Sequence, residues 1–167
     1  MIILGIDPGL NATGVGIIDA GTTRFVVVMA GDIRPPRKQS LAERLSFIHQ
    51  ALSSLMASHR PGMAVIEKIF THHAHVTTAA MMGHARGVAC LAVQEHGIPL
   101  AEYPSTHVKR AVTGNGHASK DQIARMMAQW IDRVDGSWSV DATDALALAV
   151  AHAQALHHRR NLAGVLG

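Results

Sequence analysis

The feature that most constrains this chain is an apolar segment near its start that ends in an acidic residue. Residues 2–6 read Ile-Ile-Leu-Gly-Ile and lead directly into Asp7-Pro8-Gly9. An apolar run without alternation predicts a strand buried on both faces, and Pro8 ends the strand because proline cannot donate to a ladder. A carboxylate at the rim of a buried sheet is costly unless a cation meets it. Asp7 is therefore either a functional acid or a structural residue of a turn.

Strand and helix patterns alternate along the rest of the chain. Capping boxes at Ser40/Glu43 and Ser119/Gln122 predict the starts of two helices. The predicted strands are 2–6, 13–19, 24–30, 63–67 and 98–103, with the first three forming an antiparallel meander. The predicted helices are 41 to about 56, 76–95, a short one from 104, about 120–130 and 140–156, with a loop at 132–139. This order predicts an α/β fold, in which helices flank a five-stranded mixed sheet with two parallel strands beside the meander.

Two glycines interrupt the second predicted helix. Gly83 and Gly87 lie one turn apart, and each costs about 1 kcal/mol relative to alanine in a helix. Such glycines are tolerated where another backbone approaches closely. We therefore expect close packing around Gly83 and Gly87, either in the core or across a subunit interface.

Composition limits the class of protein. The 167 residues carry a formal charge of +3 and twelve histidines, which permits a polyanionic partner without requiring one. The single Cys90 fits a reducing compartment. No apolar run reaches the roughly 18 residues of a membrane span, and we recognise no signal peptide. We expect one cytosolic domain over residues 1–167. Residues from about 157 to 167 would form a basic tail that can be flexible.

Three further acids occupy positions similar to that of Asp7. Glu67 closes a second buried strand, and Asp141 and Asp144 share one face at the start of the last helix. Acidic residues in a first helical turn are often simply favoured by the helix dipole. Here the following segment, Ala145–Ala151, is apolar all round and predicts a buried helix. The four acids could therefore converge at the edge of the core.

Converging carboxylates predict a divalent-cation site. Without counter-charge some of the four acids would have to hold protons, and hard oxygen ligands suit Mg²⁺ or Mn²⁺. Two such ions, about 3.5–4 Å apart, clamp the attacking and leaving oxygens of an in-line phosphoryl displacement. The pattern predicts metal-assisted phosphodiester hydrolysis.

Several sequence blocks occur together in one known family. They are GIDPG with Gly14 and Gly16, AVIE at 64–67 followed by Phe70, VTTAxxxGxARG at 76–87, Val108-Lys109, GNGxAxKxQ at 114–122 and DATDALALA at 141–149. In this order and spacing they resemble the RuvC-type Holliday-junction resolvases over residues 2–152.

The resemblance implies an RNase H-like fold and a homodimer, with the Gly83/Gly87 helix contributing to the dimer contacts. It implies Mg²⁺-dependent, symmetric nicking of four-way DNA junctions in recombination and repair. Asp7, Glu67, Asp141 and Asp144 would be the catalytic, metal-binding acids, with Asp7 bridging two Mg²⁺ ions and Mn²⁺ a substitute. A branch-migration motor of the RuvA and RuvB type is the implied partner, and the bacterial cytoplasm the implied location.

The family pattern also carries DNA-binding positions. Phe70 would stack on or wedge an unpaired base near the crossover. Lys109, Arg110 and Lys120 would anchor phosphates, which contributes affinity and salt dependence but no sequence information. The loop Thr71–His75 departs from the family pattern by one extra residue and three histidines. These histidines would either protonate beside the DNA backbone or bind a transition metal.

Three alternatives use the same residues. An RNase H-like nuclease acting on RNA or an RNA–DNA hybrid would share the acids. GIDPG alone also resembles the phosphate loop of actin-like ATP-binding modules, although such folds need a second domain. A junction-binding protein without catalytic activity is the third alternative, and the presence of all four acids argues against it.

Overall fold

One mixed sheet forms the centre of the molecule. The computed structural model describes residues 1–21, 24–68, 76–132 and 138–165. Within these ranges the strands are β1 (Ile2–Asp7), β2 (Thr13–Asp19), β3 (Phe25–Ile33), β4 (Met63–Glu67), β5 (Leu100–Tyr103) and β6 (Ile131–Asp132). The helices are α1 (Leu41–His59), α2 (Val76–Glu95), α3 (Ser105–Thr113), α4 (Lys120–Trp130) and α5 (Val140–Val165).

The strand order is β5-β4-β1-β2-β3-β6. Strands β1, β2 and β3 form the predicted antiparallel meander, and β4 pairs in parallel with both β1 and β5. The predicted fold class is confirmed. The predicted count of five strands is wrong, because Ile131–Asp132 adds a sixth strand, parallel to β3. Two residues are too few for an alternating pattern to reveal a strand.

Each face of the sheet has its own apolar core. Leu4 and Ile6 pack with residues of α1 and α2, whereas Ile3 and Val65 pack with residues of α3, α4 and α5. Alternate residues of a strand point to opposite faces, so this division assigns every strand position to one layer. The buried part of α5 was predicted correctly, since residues 145–151 are at most 3% exposed.

Both predicted capping boxes are present, at Ser40/Glu43 and at Ser119/Gln122. Strand β3 continues past the predicted end at residue 30 to Ile33, and α5 continues past the predicted end at Leu156 to Val165. None of the helices in the described part of the chain is long and apolar enough to cross a bilayer.

Two groups of glycines have different surroundings. A Cβ on Gly5 or Gly14 would overlap a main-chain oxygen of α5, and one on Gly16 would lie 2.7 Å from the nitrogen of Leu146. The β1 and β2 backbones therefore lie directly against α5. Gly83 and Gly87 differ, because a Cβ on either would meet nothing within 4 Å among the residues that the structure describes. Of the two expected settings, packing in the core is not found among the described residues, and a contact across a subunit interface stays a prediction.

Candidate active site

The candidate site lies along one edge of the sheet. Asp7 ends β1 and Glu67 ends β4, and these strands are parallel with Ile6 beside Ile66, so the two acids are neighbours. Asp7 also pairs with Gly14 of β2, and Gly14 pairs with Asp32 of β3. One row across the sheet therefore contains Glu67, Asp7, Gly14 and Asp32, which we call the acid row. Neighbouring positions are separated by about 4.8 Å.

The side chains of the acid row share the face covered by α5. Asp7 is four residues from Ile3, and Glu67 is two residues from Val65, so each acid points to the same face as that apolar residue. Both apolar residues pack against α5. The start of α5 places Asp141 and Asp144 over this row. The structure thus brings together the four acids that the sequence analysis singled out.

A glycine at the centre of the row gives α5 its position. At Gly14 the main chain lies against the carbonyl oxygen of Asp141, in the space that a side chain would fill. At the same point Ser139 accepts a hydrogen bond from the Ala142 main-chain nitrogen at 3.0 Å and donates one to Asp32 at 2.5 Å. Asp32 therefore joins the end of β3 to the beginning of α5, which bears Asp141.

Burial and neighbouring charge raise the pKa of Asp7 to about 7. Burial contributes most, followed by the negative charges of Asp144, Glu67 and Asp141, while Lys120 acts in the opposite direction. The influence of all three carboxylates on Asp7 shows that the four acids form one electrostatic group.

Glu67 also titrates above its ordinary range. Burial is the main reason for its raised pKa, and a hydrogen bond from Ser105 opposes the shift. Lys109 and Lys120 favour the charged form as well. Ser105 and Lys109 belong to α3, so this helix supplies polar and cationic groups to the Glu67 side of the site.

Lys120 belongs to the site rather than to the general surface. Its Nζ donates to Oδ2 of Asp144 at 3.0 Å, and this bond raises the pKa of Lys120. Lys120 and Lys109 line a groove of about 190 Å³ that also contains Glu67, Ser105 and Asp144. The cationic groups thus lie where a phosphate entering the site would pass.

The donor set fits a hard divalent cation. All four acids offer oxygen ligands, and burial together with the neighbouring carboxylates raises the pKa of Asp7 even though Lys120 lies nearby. Among the residues that the structure describes, no three His, Cys, Asp or Glu side chains are already grouped closely enough to enclose a metal ion. Asp144 is instead paired with Lys120 at 3.0 Å.

The remaining predicted residues have other positions. Arg110 is exposed and lies beside Gly116, outside the groove that contains Lys109 and Lys120. Phe70 and His72, His73 and His75 lie outside the described residues.

Sequence reasoning missed several polar residues at this edge: Asp32, Arg34, Arg44, Ser105 and Ser139. Arg34 pairs with Asp32 at 2.6 Å and lies 4.0 Å from Asp141. Two signals could have found part of this group. Ser139 directly precedes a helix, as an N-cap does, and Ser105 follows a strand parallel to the one that ends at Glu67.

The fold and the site together define a nuclease of the RNase H-like class. Residues 3–152 match the family model described as "Crossover junction endodeoxyribonuclease RuvC". The chain therefore belongs to the RuvC family.

Individual relatives agree with this assignment. RuvC of Bradyrhizobium diazoefficiens is 44% identical over 161 residues, which cover 96% of this chain and 89% of the relative. RuvC of Halorhodospira halophila is 45% identical over 158 residues, covering 94% and 90%. The structure of Thermus thermophilus RuvC in complex with a Holliday junction substrate superposes with a TM-score of 0.87 at 27% identity, covering 95% and 96%.

Family membership decides between the earlier alternatives. It does not favour a nuclease for RNA or RNA–DNA hybrids, nor an actin-like ATP-binding module. Metal dependence is a property of this family, and it agrees with the oxygen-rich donor set of the acid row and α5.

Proposed function

We propose that this protein is a structure-selective endonuclease that resolves four-way DNA junctions in recombination and repair. The observation that carries the proposal is the sheet edge where Asp7 and Glu67 lie side by side, with Asp141 and Asp144 acting on the same electrostatic group. Family membership supports the substrate class, as does the likeness to a RuvC bound to a Holliday junction.

The four acids would hold Mg²⁺, with two ions per site and Mn²⁺ as a substitute. When bound, such cations neutralise the acids and clamp the attacking and leaving oxygens of an in-line displacement at phosphorus. Asp7 lies at the centre of the group, between Glu67 and the α5 aspartates. Ser105 orients the Glu67 carboxylate through its hydrogen bond.

The lysines of the groove would act on the DNA phosphates. Lys109 and Lys120 line the groove beside Glu67 and Asp144, where they hold the scissile phosphate against the repulsion of the acids. Exposed Arg110 would contact the backbone farther from the cut. Phe70 would stack on an unpaired base near the crossover.

A homodimer suits the substrate, because a two-fold axis presents two identical sites to a nearly two-fold junction. The exposed side of α2 supports this arrangement: none of the described residues would contact a Cβ at Gly83 or Gly87, and Leu91 on the same helix is 52% exposed. The biological setting would be the bacterial cytoplasm, with a branch-migration motor of the RuvA and RuvB type as partner.

The decisive experiment compares cleavage of a mobile four-way junction and a linear duplex of the same sequence over a Mg²⁺ titration, resolved on a denaturing gel. We expect Mg²⁺-dependent nicks at symmetric positions in two opposed strands of the junction. Equal cutting of the linear duplex would refute structure selectivity.

Matched variants separate catalysis from binding. Asp7→Asn and Glu67→Gln keep the size of each side chain but remove a charge, so we expect them to abolish cleavage and retain junction binding. Cleavage by Asp7→Asn at the wild-type rate would refute the assigned role of the acids. Binding without cleavage by the wild-type protein at every Mg²⁺ concentration would instead identify a junction-binding protein.

A further inference from the structure

A second groove lies on the other side of the acids. It borders Asp7 and Asp141, and its walls include Asn11, Arg34 and Arg44. We propose that this arginine groove binds a phosphate of the DNA strand that is cut, so that the strand is anchored on both sides of the acids. The inference rests on the proposed function, because it assigns a new contact to the same substrate.

The order of the strands places positive charge at both ends of the acid row. Helix α3, with Lys109, follows directly after β5 at one end, and Arg34 follows directly after β3 at the other. Glu67 and Asp7 end the strands between them. Basic residues therefore lie beyond both ends of the acid row, Lys109 beside β5 and Arg34, which pairs with Asp32, beside β3.

The length of this edge suits a nucleic-acid strand. Four strand spacings separate β5 from β3, which gives about 19 Å at about 4.8 Å per spacing. A DNA strand in a B-form duplex advances about 3.4 Å per nucleotide, so the edge spans several nucleotides. One strand can therefore contact the groove lined by Lys109 and Lys120 and the arginine groove at the same time.

Arg44 carries the least neutralised charge in the arginine groove. Its Nη2 donates to the Leu10 carbonyl oxygen at 2.8 Å and to Oδ1 of Asn11 at 2.9 Å. Its Nε is buried and has no hydrogen-bond partner among the described residues. None of the ion pairs found in the described ranges includes Arg44.

Arg34 differs because Asp32 pairs with it and Asp141 lies near it. Its side chain is nevertheless 59% exposed, so it can turn toward a phosphate without losing its position at the end of β3. We therefore expect Arg44 to contribute more to phosphate binding than Arg34.

A two-sided anchor meets a physical need of this site. Four carboxylates at the centre repel the phosphates that must approach them, and cations on one side alone would leave the strand free to swing away on the other. Fixing both flanks aligns the scissile bond with the acids. The arginine groove provides the second fixed point.

The first test measures the salt dependence of junction binding without cleavage, in EDTA, for Arg44→Gln, Arg34→Gln and the control Arg24→Gln. Arg24 precedes β3 and pairs with Asp132, so it lies at the opposite edge of the sheet. We expect Arg44→Gln to lower the slope of log K against log salt by about one, Arg34→Gln to lower it by less, and Arg24→Gln to leave it unchanged. An unchanged slope in Arg44→Gln would refute the proposal.

Arg44→Lys separates charge from the structural bonds to Leu10 and Asn11. Lysine keeps the positive charge, so we expect it to retain the wild-type slope even if thermal stability falls. A slope reduced as much as in Arg44→Gln would show that Arg44 only holds the β1–β2 connection in place.

The second test replaces single phosphates of the cut strand by neutral methylphosphonates. At one phosphate position on one side of the cut, we expect the replacement to weaken binding of the junction by the wild type. The same replacement should not weaken binding by Arg44→Gln, because this variant has already lost the contact. Additive losses at every position would overturn the proposal. If the wild type shows no preference for the junction over linear duplex, the proposed function fails. If the wild type prefers the junction but the arginine variants bind it like wild type, only this inference fails.

Discussion

The carbonyl oxygen of Asp141 lies against the main chain of Gly14, in the space that any larger residue would need for its side chain. This contact joins the centre of the acid row to the beginning of α5. The position of Asp141, one of the four candidate acids, therefore depends on the absence of a side chain at Gly14.

Gly14→Ala should destabilise the fold and reduce cleavage together. The added Cβ meets main chain rather than a movable side chain, so we expect a loss of about 3 kcal/mol and a fall in Tm of roughly 6–12 °C. Thermal unfolding and junction cleavage measure both effects. The matched control is Gly31→Ala in β3, where the nearest atom lies at an ordinary 3.8 Å; equal losses in both variants would contradict the prediction.

Asp7→Asn should stabilise the metal-free protein at alkaline pH. The raised pKa of about 7 means that folded Asp7 keeps its proton between about pH 4 and 7, where the unfolded chain has released it. Stability therefore falls as pH rises through this window, by about 2–4 kcal/mol in wild type. Thermal melts in EDTA should show a higher Tm for Asp7→Asn at pH 8 and a smaller difference at about pH 5. A difference in Tm between Asp7→Asn and wild type that stays constant from about pH 5 to pH 8 would contradict the raised pKa of Asp7.

Lys120→Ala should impair the enzyme without unfolding it. The Lys120 side chain is 68% exposed, so loss of its pair with Asp144 should cost under about 1 kcal/mol. Loss of a cation at the phosphate should lower the cleavage rate by roughly a hundredfold. It should also lower the slope of log K for junction binding against log salt by about one. Single-turnover cleavage and binding titrations test this. Arg60→Asn is the control, since Arg60 caps α1 in the left-handed conformation that asparagine tolerates.

Replacing both α2 glycines by alanine should stabilise the subunit but weaken the proposed dimer. Each substitution adds about 1 kcal/mol of helix propensity, because the new Cβ meets none of the described residues within 4 Å. A partner backbone packed against Gly83 and Gly87 would be pushed away. Sedimentation at several concentrations should show a higher dimer Kd, while denaturant unfolding of the dilute protein shows greater stability. An unchanged Kd would remove this face from the interface.

Asp32→Ala should loosen the beginning of α5. It removes the acceptor for Ser139 and the partner of Arg34, and we expect a loss of about 1–2 kcal/mol measured by urea unfolding. Asp32→Asn should lose less, because its carbonyl oxygen still accepts from Ser139. Equal losses would show that the pair with Arg34 is the main contribution.

The meander, both parallel strands and the four acids follow from local pattern. Apolar runs that end in Asp7 and Glu67 predict buried strands with acids at the rim, and a fully apolar α5 predicts burial next to Asp141. These inferences use only neighbours in sequence, which is why they survive comparison with the fold.

Other features depend on partners that no local pattern identifies. Strand β6 consists of two residues and exists because β3 offers it an edge. The third strand was predicted to end at residue 30, yet β3 continues through Gly31 and Asp32 because β2 pairs with both. The motif that contains Gly14 and Gly16 gave no sign that these glycines let α5 approach the sheet. Arg44 gave no signal, because its partners lie on the β1–β2 connection, far away in sequence.

The acids of the site come from the first strand, the fourth strand and the last helix of the described chain. During synthesis the N-terminal strands leave the ribosome well before α5, and non-local contacts form only after their loops have closed. A nascent or partly folded chain therefore has Asp7 but not the group of carboxylates around it. Nuclease activity should appear only with the complete fold, so that incomplete chains cannot cut DNA.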